Sequence, residues 1–491
     1  MKAAVLLCAA VAIAAAPTLS QADRHDGAIR ALLDDMLLSI QASGAGRGAL
    51  LSEGPPHNTG APGGGGYRVD FSGVRIAASA ESIVDIGDMR LAIEALDGGR
   101  HGIAVHLATS FEVVDAAGRL RSTIKTGAQT LGAIWNPDIL GFEAATARVE
   151  DIRQVDPSGD FIWRATRAEA GSVSERDPTG RWLQRSNAAF GRLEIVRPEG
   201  TLTRADRFEA SLETNDLQLE AVAQMIRAAA EDLDREGDGF TLEIGRRMKA
   251  RPELLPGGAR AKVRIVGLTS TVIFPAALSL DVLDASVDID TLAAPIGTVR
   301  IVLDLQGLEV PPSLTGLLGD VDVTAGLIPQ SVAFRATVFN LPIQDIRTTY
   351  LAGTALPGDP HGNTNVFIIP RGVGAALDVA RSSLQIEEFR IESAFLSLSG
   401  DGTIAVDPAA VAGVGGQADI TVRGLDKYQG HLLRSPGGTS LRVLAIVGVL
   451  RALGEPIGPD GEDVRAYEIE MTRTGEVLVN GQDLAPILFP Q

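Results

Sequence analysis

The chain predicts an α+β protein, mainly β, built from large curved antiparallel sheets with a few amphipathic helices packed on one face. Three observations carry this. Apolar and polar residues alternate with period two over most of the length, the mark of strands with one dry and one wet face. Glycine- and proline-centred turn signals punctuate those runs. The chain has 55 glycines and only 4% aromatic residues in a sequence that is 45% hydrophobic. That balance suits extended sheet with tight turns better than a compact enzyme pocket.

At the N-terminus, Met1-Lys2 supplies a positive start and residues 3–16 are almost wholly apolar. Ser20-Gln21-Ala22 then offers small residues where a signal peptidase reads. Residues 1–22 are therefore expected to be a cleavable export signal, too short in its apolar part to span a bilayer, and the mature chain is expected in the periplasm. Cys8, the one cysteine, falls inside this segment, so the mature chain can form neither a disulfide nor a thiolate metal site. No later stretch reaches the ~18 uninterrupted apolar residues of a spanning helix. The formal charge is −18. A chain this acidic has no electrostatic footprint for nucleic acid and is repelled, on average, by an anionic lipid surface.

Residues 23–66 read as an N-terminal helix and a linker. Ile29, Leu32, Leu33, Met36, Leu37 and Ile40 follow the i, i+3, i+4, i+7 rule over 27–40. Residues 43–66 are rich in Gly, Pro, Ser and Asn, a loop with nothing to bury. From 67 to 250 comes a first β-rich half. Tyr67, Val69 and Phe71 alternate with Arg68 and Asp70, and runs at 83–86, 89–96, 103–107 and 111–114 continue the pattern. Turns are expected at Asp97-Gly98-Gly99, Ala117-Gly118, Pro157-Ser158-Gly159 and Pro178-Thr179-Gly180. All three tryptophans (Trp135, Trp163, Trp182) lie here, which suggests a core of its own; an aromatic ligand lining is the sharper alternative. A helix over 215–233, with Asn215 as cap and Gln218 answering it, closes this half.

The second β-rich half, 251–491, has strands at 263–268, 271–274, 278–282, 287–289, 299–305 and 332–339. A short helix over 373–380 and a buried helix over 441–453 are expected among them. Between these helices, Leu396, Leu398, Ile404 and Val406 share one parity and Ser397, Ser399 and Thr403 the other. There Gly400-Asp401-Gly402 is either a hairpin loop or a glycine break inside one long strand, and parity cannot choose. Tyr467, Ile469 and Met471, a turn at Thr474-Gly475, Val477 to Val479 and the Asn480-Gly481 turn make a final hairpin. Two similar halves fit this order, although no fixed repeat period is visible.

Chemistry-bearing motifs are scarce. There is no His-Glu-x-x-His, Gly-x-Ser-x-Gly or Walker-type Gly-Lys-Ser/Thr. His101 and His106, five apart, fall on opposite faces of a strand. No cofactor is nominated. The one metal candidate is a calcium-loop-like run from Asp232 to Glu243, in which Asp232, Asp234, Glu236 and Glu243 occupy loop positions for oxygen ligands and Gly237 the turn. Glu236 stands where a shorter acid or amide is usual, and Gly239 where an apolar residue is. The ordinary alternative is a solvated helix end. Gly372-Val-Gly374 imitates a dinucleotide turn without the third glycine or the βαβ context. Asp460-Gly-Glu-Asp463 reads as an acidic exposed turn.

The run Leu398-Ser-Gly400-Asp-Gly402-Thr-Ile-Ala-Val406, then Gly416-Gln-Ala-Asp-Ile-Thr-Val422 and Gly475-Glu-Val-Leu-Val-Asn480-Gly481, resembles a family of exported alphaproteobacterial proteins known only as a domain of unknown function. It is similar in style to AsmA-type envelope proteins, whose strands carry a Ser-Gly-x-Gly break. The resemblance implies a periplasmic, sheet-rich protein and, through the AsmA-type relatives, a long apolar groove that handles lipid. This chain lacks their transmembrane anchor, and the matching motifs carry no site residues.

The leading expectation is a non-catalytic binding protein that holds or shuttles an apolar ligand such as lipid. The alternative is a structural or protein-interaction component of the cell envelope with a filled core, and a third is an enzyme with a dispersed carboxylate site. A binding cleft would show as more apolar strand faces than the helices can cover.

Overall fold

The computed structural model describes residues 27–42, 50–51, 57–60, 66–79, 82–196, 200, 202–232, 238–273, 276–311, 327–346, 376–434, 441–458 and 462–483. The chain forms two compact units, Met1–Gly257 and Gly258–Gln491. Both are dominated by antiparallel strands, so the molecule is mainly β with accessory helices. Among the described residues no helix is long and apolar enough to cross a membrane.

In the first unit, β3 (Gly66–Ser79) and β4 (Ser82–Ala95) form a long hairpin. β4 then serves two neighbours. Its first half pairs with β6 (Ser110–Asp115) and its second with β5 (His101–Leu107). The change of partner falls at Gly87, whose φ of +73 only glycine adopts without strain, and whose N–H donates to Asp85 Oδ1 at 3.0 Å. β7 (Leu120–Lys125) continues from β6, and β8 (Gln129–Asn136) from β5. Both abut β9 (Gly141–Val155), after which β10 (Phe161–Arg176), β11 (Trp182–Val196) and β12 (Leu202–Leu217) follow as a meander. The expected turns appear at Gly98, Gly118, Gly159 and Gly180, all with positive φ.

One face of this sheet is packed dry. Val69, Phe71, Leu91, Ile93, Val105 and Leu131 meet α1 (Gly27–Ala42), α2 (Leu219–Asp232) and α3 (Asp238–Ala250) in a single core. The helices contribute Leu32, Leu33, Met36, Ala223, Met225, Ala229, Phe240 and Ile244. The tryptophans belong to the protein rather than to a ligand lining. Trp135 is buried against Phe142 at 5.1 Å, Trp163 packs on the same core, and Trp182 donates to Glu220 at 2.8 Å.

Three sequence expectations change here. Residues 43–66 are not a bare linker: β1 (Leu50–Leu51) and β2 (His57–Gly60) pair with the outer edge of β3. Backbone pairing at an edge needs no buried side chain, so the polar β2 can do it as well as the leucines of β1. Asn215 does not cap a helix, because β12 runs on to Leu217, opposite Trp182. α3 was hidden under the calcium-loop reading.

The second unit is an antiparallel meander: β13 (Gly258–Ile273), β14 (Ala276–Ile289), β15 (Gly297–Gln306), β16 (Ser331–Leu341), β17 (Ser383–Glu392), β18 (Ser397–Val406), β19 (Val414–Arg423) and, next in the sheet, β21 (Val464–Met471). β20 (Glu455–Pro456) and β22 (Val477–Val479) share the far edge of β21, and β23 (Gln482–Asp483) pairs with β22. Gly400-Asp401-Gly402 is not a hairpin loop but the middle of β18. A β-carbon on Gly400 would lie 2.2 Å from the Asp419 carbonyl oxygen and 2.9 Å from the Phe389 ring, so only glycine lets the strands approach.

Two helices accompany this sheet. α4 (Leu425–Arg434), absent from the sequence reading, buries Leu425, Tyr428 and Leu432. α5 (Leu441–Leu453) buries Val447 but leaves Ile446 41% exposed, so it is covered on one side only and not buried as expected. Residues 376–380 are helical, as the end of the expected 373–380 helix; 373–375 lie outside the described residues.

Candidate functional site

Cross-strand register lines up the apolar residues of the second sheet into rows on one face. One row is Ile265, Leu283, Leu305, Val332, Ile391, Leu398 and Val422. The next is Val263, Ala285, Leu303, Phe334, Phe389, Gly400, Ile420 and Tyr467. Two further rows, through Val287–Ile301–Ala336–Ile386 and Ile289–Val299–Val338–Leu384, complete the face. Because side chains alternate along a strand, the intervening residues form the opposite face. They are mostly polar, with Val266, Val282 and Val302 among them, and several are ion-paired: Arg260 with Asp288, Lys262 with Asp284, and Arg335 and Arg390 with Glu388. One face has thus been given to water and the other withheld from it.

The withheld face is only partly covered. α4 and α5 seat Leu425, Tyr428, Leu432 and Val447 on Leu398, Ile420, Val422, Tyr467 and Ile469, the end of the sheet nearest β21. There the burial is tight enough to raise the pKa values of the Tyr428 and Tyr467 phenols, and Tyr467 donates to the Leu450 carbonyl at 2.8 Å. From β13 to β17 neither α4 nor α5 packs on the rows, while the short helix 343–346 sets the buried Ile343 against Gly297 at the start of β15. Ile265, Leu283, Leu303, Leu305, Phe334, Ile386 and Phe389 are partly buried, Val287 and Ile404 are 38% and 43% exposed, and Ala336 and Val299 in the same rows are buried. In the first unit the equivalent residues are sealed: Val69 and Leu91 are each 1% exposed. The Phe389 ring and the Asp419 carbonyl close over Gly400, which leaves no room there for a side chain.

A concavity of about 780 Å³ lies on the first sheet. Its rows are short side chains, among them Ala92, Gly102, Ala104, Gly132 and Ala144, with Arg68, Glu94 and Thr146 at its margins.

The calcium-loop residues are placed as follows. Asp232 is the last residue of α2, and Glu243 lies in the second turn of α3. Asp234 and Glu236 fall outside the described residues. Arg247 bridges Asp232 at 2.8 Å and Glu243 at 2.8 Å, and Arg246 adds a second ion pair to Glu243 at 2.7 Å. Those hydrogen bonds, Arg246 first, hold the Glu243 carboxyl down at about 2. A cation at this loop would have to displace two guanidinium groups. Among the described residues no group of three or more His, Cys, Asp and Glu is arranged to hold a metal ion.

Other candidates have local roles. His101 and His106 point to opposite faces of β5, since their parity differs. His431 stacks on Phe395 at 4.4 Å. Asp463, from the acidic turn, accepts from the Asp426 N–H at 2.6 Å and so caps α4 from a distant part of the chain. Gly372-Val-Gly374 lies outside the described residues. Sequence reasoning found the alternating strands but not the row register, which needs the partner of every strand. No family model, no curated protein and no solved structure matches the chain.

Proposed function

We propose that this is a non-catalytic binding protein of the periplasm, which holds or shuttles an apolar ligand, lipid in chemistry, on the open face of the second sheet. One observation carries the reading: four apolar rows lie on one face of the sheet, and α4 and α5, the two long helices described in this unit, pack on its β18–β21 end. A contiguous apolar face of this extent marks an interaction surface rather than ordinary protein exterior. The exposed rows are mostly aliphatic, with Phe334 and Phe389 the aromatic members, which suits acyl chains better than flat ring systems. Strands lie about 4.8 Å apart, so three spacings match the ~15 Å that an acyl chain spans in half of a bilayer core. Export by the leader expected at residues 1–22, and the resemblance to AsmA-type envelope proteins, favour the same setting.

Uptake of a fluorescent fatty acid by delipidated protein tests this. Ile301→Asp places a charge in the third row, and uptake is expected to fall at least tenfold. Uptake unchanged in this variant, with fold intact by circular dichroism, would overturn the assignment. Retention of an envelope protein by the wild type in place of lipid, lost in Ile301→Asp, would turn the face into a protein-docking surface.

A further inference from the structure

We infer that the first unit carries a docking face for bilayers rich in anionic phospholipid, centred on Lys125 and Arg153. The register places Lys125, Arg153, Arg164, Glu194 and Arg204 in one row across β7, β9, β10, β11 and β12. The row points away from the helix-packed core, because the residues beside it on the same strands, Ile124 and Ile152 among them, are buried in that core. Lys125, Arg153, Arg164 and Arg204 are exposed, and Glu194 is buried between its neighbours. Arg164 and Arg204 both close on Glu194, the latter at 2.9 Å. Lys125 and Arg153 have no carboxylate within ion-pair distance among the described residues.

Three cations on adjacent strands, directly opposite one another, repel, and such pairs destabilise a sheet unless an anion lies over them. On a chain whose formal charge is −18 the arrangement runs against the overall composition. The row lies on the sheet face away from the helices, and at about 4.8 Å per strand its five members extend for some 19 Å. That geometry fits a surface of phosphates better than a single enclosed anion.

The fringe of the row is apolar, which favours a bilayer over a soluble polyanion. The Arg164 guanidinium lies 5.0 Å above the Phe161 ring, and Phe161 is 38% exposed. Val196 and Leu202, cross-strand partners two residues beyond Glu194 and Arg204, are half-exposed on the same face. Basic residues edged by exposed apolar ones are how peripheral proteins engage anionic headgroups and the acyl boundary beneath them. Asp151 and Asp206, two residues further along the other way, carry opposing charge and confine the attraction to the row itself. The inference stands apart from the ligand-binding face, since it uses none of its residues.

Co-sedimentation of the mature protein with extruded vesicles tests it. Vesicles of phosphatidylcholine with 30% phosphatidylglycerol should bind at least tenfold more protein than pure phosphatidylcholine at 50 mM NaCl, and the difference should collapse at 300 mM. Lys125→Glu/Arg153→Glu should abolish the preference, and the milder Lys125→Gln/Arg153→Gln should weaken it while keeping the native circular dichroism. Lys262→Glu/Arg264→Glu, in the second unit, should leave it intact. No preference in the wild type, or one that survives both row variants, overturns the inference. So does loss of binding to 10 mM inorganic phosphate at matched ionic strength, because that would mark a discrete phosphate site. Fatty-acid uptake from solution should be unaltered in the row variants, so failure of docking and failure of the binding-face reading are read separately.

Discussion

Truncating one leucine in each sheet asks directly whether the second sheet's apolar face is open. Leu91 is 1% exposed in the first unit, and Leu303 is only partly buried in the second. Leu91→Ala removes buried methyl groups and leaves a cavity, which costs about 3–4 kcal/mol. Leu303→Ala forfeits part of the ~2 kcal/mol that full burial of a leucine is worth, and no cavity forms beside solvent, so the loss is about 1–2 kcal/mol. The gap between the two substitutions should therefore be about 2 kcal/mol. A single unfolding midpoint would mix two units, so pulsed hydrogen–deuterium exchange along a urea series is the assay, with peptides from each unit read separately. Added lipid should raise the cost of Leu303→Ala and leave that of Leu91→Ala unchanged, because only the first is covered by ligand. A cost near 3 kcal/mol for Leu303→Ala in delipidated protein would refute the reasoning: the face would already be filled.

Three further outcomes follow from the packing and the ion pairs. Gly400→Ala drives a methyl group against the Asp419 carbonyl and the Phe389 ring, so it should cost about 1–3 kcal/mol and unpair β18 from β19, seen as faster amide exchange over 414–423. Asp463→Ala removes the acceptor at the start of α4 and should cost about 1 kcal/mol, read as fraying of 425–434 in the same exchange experiment. The Glu243 carboxyl titrates at about 2 against an ordinary 4.5, so the stability it contributes is present above about pH 4.5 and is lost as pH falls through about 2. Arg247→Gln should move that loss upward in pH, as followed by carboxyl chemical shifts on acid titration.

Much of the strand pattern was legible because it is local. The parity of Leu398, Ile404, Ile420 and Val422, and the turn chemistry at Gly118, Gly159, Gly180 and Gly475, depend on neighbours a few residues away. Helices were less legible where their apolar stripe is sparse. In α3 the stripe is only Phe240, Ile244 and Met248, with Leu242 off it, among charged and small residues, and α4 is interrupted by Gly430. Asn215 misled for a different reason. Asn-Asp before an apolar helix looks like a cap, but β12 gains more by staying paired with β11 up to Trp182. The apolar face of the second sheet was half legible. Alternation shows that each strand has a dry side, but only the strand order shows four dry rows in register, and only the positions of α4 and α5 show which part stays bare.

Native mass spectrometry of the mature protein, prepared from periplasm without detergent and paired with organic extraction of the same sample, tests the central claim most directly. The account predicts a lipid bound at defined stoichiometry, released on extraction and absent from Ile301→Asp. A clean ligand-free mass, with no uptake of added phospholipid or fatty acid, would contradict it.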